Sequence, residues 1–578
     1  VLRDLSAPPE NPVTLPWRPL LCSWLLLLGA PLARADDIQT LNAEFWAWRA
    51  LQQPFGEDDL PRIERPAGFA PDWSEAGVAR QLATLETFEA RWARLAPAGD
   101  AAVPLQVDWR LTGSALARVR WELSIERGWR RNPSFYIQQS LGSLFELLLA
   151  PAPMSGPRQA ELIARVRRIP ALLAVARDNL TEARRPFVRL AIDSLGDVRV
   201  RLGQTEQALA PELSPATRRM LSGALPAAAT ALEGFRAWLR GIEPATATDT
   251  AIGRDAYLWY LHDVALVAES PESMRALARD AWARAVAFEA IQQGRDADAA
   301  PATRVASAAD EIEATRRREA EVRAFLARER LLTVPADAPH YRTARLPPWL
   351  GPLQALGTTD DLTGPSRLAA DAVRYIPEPG PSLGFFYRSM ADDPRPVLVH
   401  EGVPGHYLQM WLGWHHPDPV RRHYHDSVPN EGIGFYAEEM LLQAGLFDDD
   451  GRTRETIYSF MRLRALRVEV DVRLALGEFT LEQAADYLER TVPMDRASAL
   501  EEAALFASTP GQAIAYQVGK AELTRLLSDA RRAGGAGFSL QRFHDAIWRE
   551  GNVPFSLQRW EMLGDPTDVP ALLPPPAR

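Results

Sequence analysis

The stretch HEGVPGHYLQMWLGWHHPDPVRRHYHDSVPNEGIGFYAEE, residues 400–439, holds six of the nine histidines in the chain: His400, His406, His415, His416, His423 and His425. Glu401 adjoins the first of them, and Glu431 opens the EGIGFYAEE end. Imidazoles beside carboxylates are a donor set that zinc takes. A four-coordinate catalytic zinc uses three protein ligands and keeps one position for a water, whose pKa it lowers to about 7. His400 reads as the first ligand. Glu401 reads as the general base that takes the water proton and passes it to a leaving amine.

The spacing departs from the short zinc motif in which two histidines four residues apart share one helical face. His406 lies six residues after His400, which on a regular helix leaves the two side chains about 120° apart. Pro404 and Gly405 stand between them. Proline removes a backbone donor and glycine tolerates unusual torsions, so the pair predicts a kink or bulge that brings His406 round to the same ion. Glu431, 25 residues after His406, is the third ligand on this reading. Glu438 lies two turns further along the same face, as a partner that orients a ligand or as an alternative ligand. His415, His416, His423 and His425 fall in a Pro- and Asp-containing segment and read as solvated loop residues.

Outward from this stretch the chain reads as mostly helical. Apolar residues recur at three- and four-residue spacing in 38–53, 75–95, 158–180, 217–239 and 311–332, which predicts amphipathic helices. Alternating β-branched runs are scarce, and the fragment GFFYRSMADDPRPVLV (384–399) is the candidate for a cleft-edge strand. The polar segment 294–303 and the Pro- and Gly-dense segment 346–368 read as connections. The second divides a helical scaffold (36–368) from a zinc-binding catalytic portion (369–570), with 571–578 as a loose tail.

With 47% hydrophobic and 24% charged residues, the 578-residue chain has the composition of a globular protein rather than a disordered one. A net charge of −10 argues against nucleic acid as a partner. Residues 17–35, WRPLLCSWLLLLGAPLARA, combine an arginine, a short apolar run and Ala33-Arg34-Ala35, which reads as a secretory signal cleaved after Ala35; residues 1–16 are then an extension. The run falls short of the roughly 20 apolar residues of a membrane span. Cys22, the only cysteine, lies near the start of the run, whereas a lipid-attachment cysteine closes it, so a periplasmic protein is expected ahead of a lipoprotein.

Four segments together resemble a known family: HEGVPGHYLQ (400–409), EGIGFYAEE (431–439), RALRVEVD (464–471) and PGQAIAYQVG (510–519). They are similar to the hallmarks of domain of unknown function 885, bacterial proteins regarded as zinc-dependent peptidases. The resemblance implies a mainly helical, gluzincin-like fold with a deep cleft, one zinc ion, and a peptide as substrate. It places Tyr516, on the PGQ segment, as a donor to the oxyanion. The chain departs from the family pattern at Ile433 (tryptophan expected), Ala475 (histidine) and Leu505-Phe506 (Arg-Tyr), polar positions that bear on substrate.

Arg464, Arg467 and Asp471 share one helical face. Either an arginine there anchors a peptide carboxylate by a two-pronged hydrogen bond, or the three form an internal salt bridge. Tyr387 and Arg388 are candidates of the same kind. The expected function is hydrolysis of short peptides, as an oligopeptidase or carboxypeptidase. The alternative is a catalytically silent descendant that binds peptide or metal.

Overall fold

Short polar side chains fix where the helices begin. Asp37 accepts from the Thr40 amide at 2.7 Å and opens α1 (Ile38–Gln52). Serines cap α2 (Glu75–Arg94), α4 (Gly156–Asn179), α5 (Pro215–Ile242), α6 (Pro271–Arg295) and α7 (Ala308–Arg328); α3 (Val103–Arg120) starts without a side-chain cap. Each such cap is worth about 1 kcal/mol. The amphipathic periodicity therefore marks true helices, to within a few residues at each end. This computed structural model describes residues 37–56, 64–297, 305–379, 393–492 and 494–576. The proposed signal segment with Cys22, and Tyr387 and Arg388, lie outside the described residues.

The C-terminal portion continues with α8 (His406–Trp414), α9 (Ser427–Ala444), α10 (Gly451–Ala475), α11 (Arg496–Ser508) and α12 (Ala515–Gly534). A three-stranded sheet completes a mainly helical protein: β1 (Tyr341–Arg345), β2 (Asp360–Asp361) and β3 (Ala372–Ile376), in the order β1-β3-β2. β1 runs parallel to β3 with Tyr341 opposite Ala372, and β2 runs antiparallel to it with Asp360 opposite Arg374. The sheet of the described residues lies outside 393–399, the described part of the expected strand. Residues 380–392 lie outside the described residues, and 395–402 are helical.

Apolar packing ignores the division suggested at residue 368. Leu350, Leu353 and Leu356 of the supposed connection join Phe45, Leu85, Ile163 and Leu232 in one core cluster. A second cluster joins Val322 of α7 and Tyr341 of β1 to Tyr407, Ile433 and Phe435, and a third joins Ala117 and Trp121 to Val468, Val472 and Val518. The sheet itself straddles residue 368. The end of the chain is also held, through residue 573: the Pro570 carbonyl accepts from Arg110 at 2.8 Å and the Leu573 amide donates to Asp263 at 3.0 Å. Among the described residues no helix is long and apolar enough to cross a membrane.

Candidate metal centre

The metal motif folds as two helical pieces, not one kinked helix. A short helical turn (Arg395–Val397) widens into a π-turn (Leu398–Gly402) that carries His400, the chain reverses over Val403–Gly405, and α8 begins at His406. Pro404 cannot continue the hydrogen-bonded ladder. Gly405 is required by close approach: a Cβ there would stand 1.7 Å from the His400 carbonyl oxygen and 2.5 Å from that of Val399. The reversal thus folds back onto the turn that bears the first histidine, and leaves the two imidazoles 4.7 Å apart between ring centres at 75°.

Asp426 caps α9 by accepting from the Val428 amide at 2.8 Å, and Glu431 follows on the next turn. Its Oε2 lies 3.2 Å from His400 Nε2 and 3.4 Å from His406 Nε2. Two ligands held at about 2.0–2.2 Å from a tetrahedral zinc stand about 3.3–3.6 Å apart, so both pairs that Glu431 makes are near the spacing one ion needs. All three donor atoms fall within 4.8 Å of one another, and the residues are only 6%, 5% and 1% exposed. Gly434, one turn beyond Glu431, makes room for both rings: a Cβ there would meet His400 at 2.9 Å and His406 at 3.0 Å.

Glu438 closes the first histidine from behind. Its Oε1 is 2.7 Å from His400 Nδ1, and its other oxygen accepts from Arg464 Nη1 at 2.7 Å. A carboxylate on the far nitrogen fixes the ring and its tautomer, leaving Nε2 to face an ion. Burial works against ionised carboxyls here, yet His406 and His400 hold Glu431 well below the usual range, and Arg464 and His400 hold Glu438 below it. Burial and Arg464 both favour neutral His400, but Glu431 and Glu438 outweigh them and push it up to about 9. His406 Nδ1 is buried without a partner among the described residues.

Arg464, Arg467 and Asp471 do share a face of α10, but they do not pair with one another. Arg464 holds Glu438; Arg467 makes a two-pronged bond to Glu502 of α11, at 2.9 and 2.5 Å. Asp471 accepts from the Tyr257 hydroxyl at 2.8 Å and from the amides of Gly511 at 3.0 Å and Ala513 at 2.9 Å. Burial raises its carboxyl to about 6 despite these donors. One helical face therefore ties together the metal helix, α11 and the turn that leads into α12.

Tyr516 stands one residue inside α12. Gly519 of α12 crosses Gly432 of α9 so closely that a Cβ on Gly519 would lie 2.2 Å from the Val428 carbonyl oxygen. That crossing stacks the Tyr516 ring on His400 at 6.2 Å and 18°, under the Arg467 guanidinium at 4.8 Å. His400, Glu401, His406, Glu431 and Tyr516 line one cavity of about 530 Å³. Its facing wall comes from the N-terminal half, including Phe55, Arg65 and Glu146, and from Asp361 and Arg367 in the segment read as a connection. Those wall residues carried no motif in the sequence.

Of the four remaining histidines in the cluster, His415 and His423 are exposed as expected. His416 and His425 are not loop residues in water. His416 is buried, 3.4 Å from Glu550; neither ring nitrogen of His425 has a partner among the described residues, and burial pushes that ring well below its usual pKa. The departures from the family pattern are packing positions: Ile433 and Ala475 lie in apolar cores, Leu505 packs beside another, and buried Phe506 sits 5.6 Å under Arg467.

No curated protein matches the chain. Two solved structures share its fold. One, from Shewanella oneidensis and described as "a putative lipoprotein of unknown function", is 18% identical, with a TM-score of 0.67 over 92% of this chain and 100% of that one. The other, "the putative lipoprotein from Colwellia psychrerythraea", is 15% identical, with a TM-score of 0.70 over 91% of this chain and 98% of that one. The model of the family described as "Bacterial protein of unknown function (DUF885)" matches residues 62–562, which include the metal motif, the α10 face and Tyr516. The chain belongs to that family.

Proposed function

We propose that this protein is a zinc-dependent hydrolase of peptide bonds that acts on short peptides, with one zinc held by His400, His406 and Glu431. The observation that carries the reading is three buried donors within 4.8 Å of one another on the wall of a cavity that Glu401 and Tyr516 also line. Zinc, when bound there, supplies the Lewis acidity that brings the pKa of a water to about 7. Glu401 then accepts the water proton and delivers it to the leaving amine. The Tyr516 hydroxyl donates to the oxyanion, a contribution on the order of 3 kcal/mol. A gluzincin-like cleft walled by both halves of the chain admits an extended oligopeptide or a chain end rather than a folded domain.

The test is metal analysis together with cleavage of a mixed peptide library by wild type and Glu401→Gln. We expect one zinc per chain in both, and cleavage by wild type that falls about 10²-fold or more in the variant. Absence of zinc after supplementation overturns the ligand assignment, and equal cleavage by both overturns the role of Glu401. Bound zinc without cleavage by either would favour the catalytically silent descendant, which Phe506 and Leu505, in place of the family's Arg-Tyr, support.

The apolar run at 17–35 and the lipoprotein descriptions of the two similar structures support a location outside the cytoplasm. Mass spectrometry of the exported protein distinguishes its two forms: a chain starting at Asp36 is the cleaved periplasmic product, and a lipid on Cys22 is an anchored one.

A further inference from the structure

A second cavity of about 450 Å³ opens beside the first, and the two share Gln53, Glu64, Met410 and Trp414 in their walls. Its lining is mostly apolar: Phe45, Trp46, Ala47 and Ala50 of α1 face Met410 and Trp414 of α8. Of the four arginines that border it, Arg422 donates to the His416 and Pro417 carbonyls at 2.9 and 3.2 Å, and the other three have carboxylate partners. Arg49 lies 2.6 Å from Glu122, Arg118 lies 2.6 Å from Asp426, and Arg421 lies 2.6 Å from Glu550. Between α1 and α8 an occupant meets mostly apolar surface, so an uncharged, apolar group is favoured there.

The lobe has a fixed relation to the metal centre. His406, Met410 and Trp414 fall four and eight residues along one face of α8. At the rise of a regular helix, Met410 stands about 6 Å and Trp414 about 12 Å from the ligand position. An extended peptide advances about 3.3–3.6 Å per residue, so the side chain about two residues from a bond held at the metal comes to Met410.

We propose that this lobe is a subsite for a large apolar or aromatic side chain of the peptide, within about two residues of the scissile bond. The proposal rests on the peptidase reading for the words "scissile bond". The recognition itself needs no catalysis, because a silent protein that binds peptides would use the same lobe.

The test uses hexa-alanine and a set of hexapeptides with one alanine replaced in turn by phenylalanine. Binding is measured by calorimetry on the zinc-loaded Glu401→Gln protein, and kcat/KM on the wild type. At the favoured position, phenylalanine should tighten binding about tenfold or more over hexa-alanine. Ala47→Trp fills the lobe from an exposed position on α1 that lines only this cavity, so the fold and the zinc site are left alone. It should abolish the preference for phenylalanine over alanine; Ala50→Phe should act the same way. Equal binding of phenylalanine and alanine peptides at every position overturns the subsite, as does a preference that survives both substitutions. If the binding preference is found but the wild type cleaves nothing, the peptidase reading falls and the subsite stands. If all peptides are cleaved with equal kcat/KM, the subsite falls and the peptidase reading stands.

Discussion

Glu438 touches no substrate in the proposed chemistry, yet it is the residue on which His400 depends. It holds Nδ1 at 2.7 Å and is itself held by Arg464. Glu438→Gln keeps the shape and removes the charge, so zinc affinity should fall about 10–100-fold while the thermal midpoint changes little; a competition titration with a zinc indicator measures it, and unchanged affinity would refute the orienting role. The donors were legible because zinc chemistry demands particular residue types, and those types stand close together in the chain. His416 and His425 were misread for the opposite reason. Whether a loop histidine meets water or a wall depends on what packs over it, and α1, α3 and Glu550 arrive from more than a hundred residues away in sequence.

At the scale of elements, a narrow crossing carries the site. α9 presents Glu431, the proposed third ligand, α12 presents Tyr516, and the two helices approach through Gly432 and Gly519. Gly519→Ala should force them apart at the Val428 carbonyl, costing about 1–3 kcal/mol of stability. Zinc content should hold while kcat falls, because α12 carries Tyr516 and none of the three proposed ligands; thermal unfolding and single-turnover rates check the two parts. The helices themselves followed from three- and four-residue periodicity and from caps such as Asp37 and Ser155. The short strands gave no such signal. β2 is the pair Asp360-Asp361, polar on both residues, paired only because β3 lies beside it and Arg374 faces Asp360 at 3.2 Å. The motif reversal was foreseen as a kink, but the depth of the break came from Gly405 packing on the His400 carbonyl.

Across the whole molecule, the two cavities are lined by both halves of the chain, with residues of α1 and the 346–368 segment sharing their walls with α8. Stability at this scale responds to pH through a group that is not among the candidate site residues. Glu126 accepts from the Gly128 amide at 2.5 Å, and burial raises its carboxyl to about 7 against the opposing pull of Arg131 and that amide. Between its ordinary value and about 7 the folded protein keeps a proton that the unfolded chain has released, so stability falls as pH rises through that window. Glu126→Gln should flatten this fall, seen as urea midpoints that change less than wild type between about pH 5 and 7. By itself the sequence determined the helical class, the candidate donor set and the face of α10, because periodicity and donor chemistry are local properties of the chain. Only the tertiary structure decided what the three candidate donors look out on. The cleft wall, the apolar lobe and the partners of Arg467 and Asp471 depend on contacts between distant segments, and these are set by which surfaces bury one another.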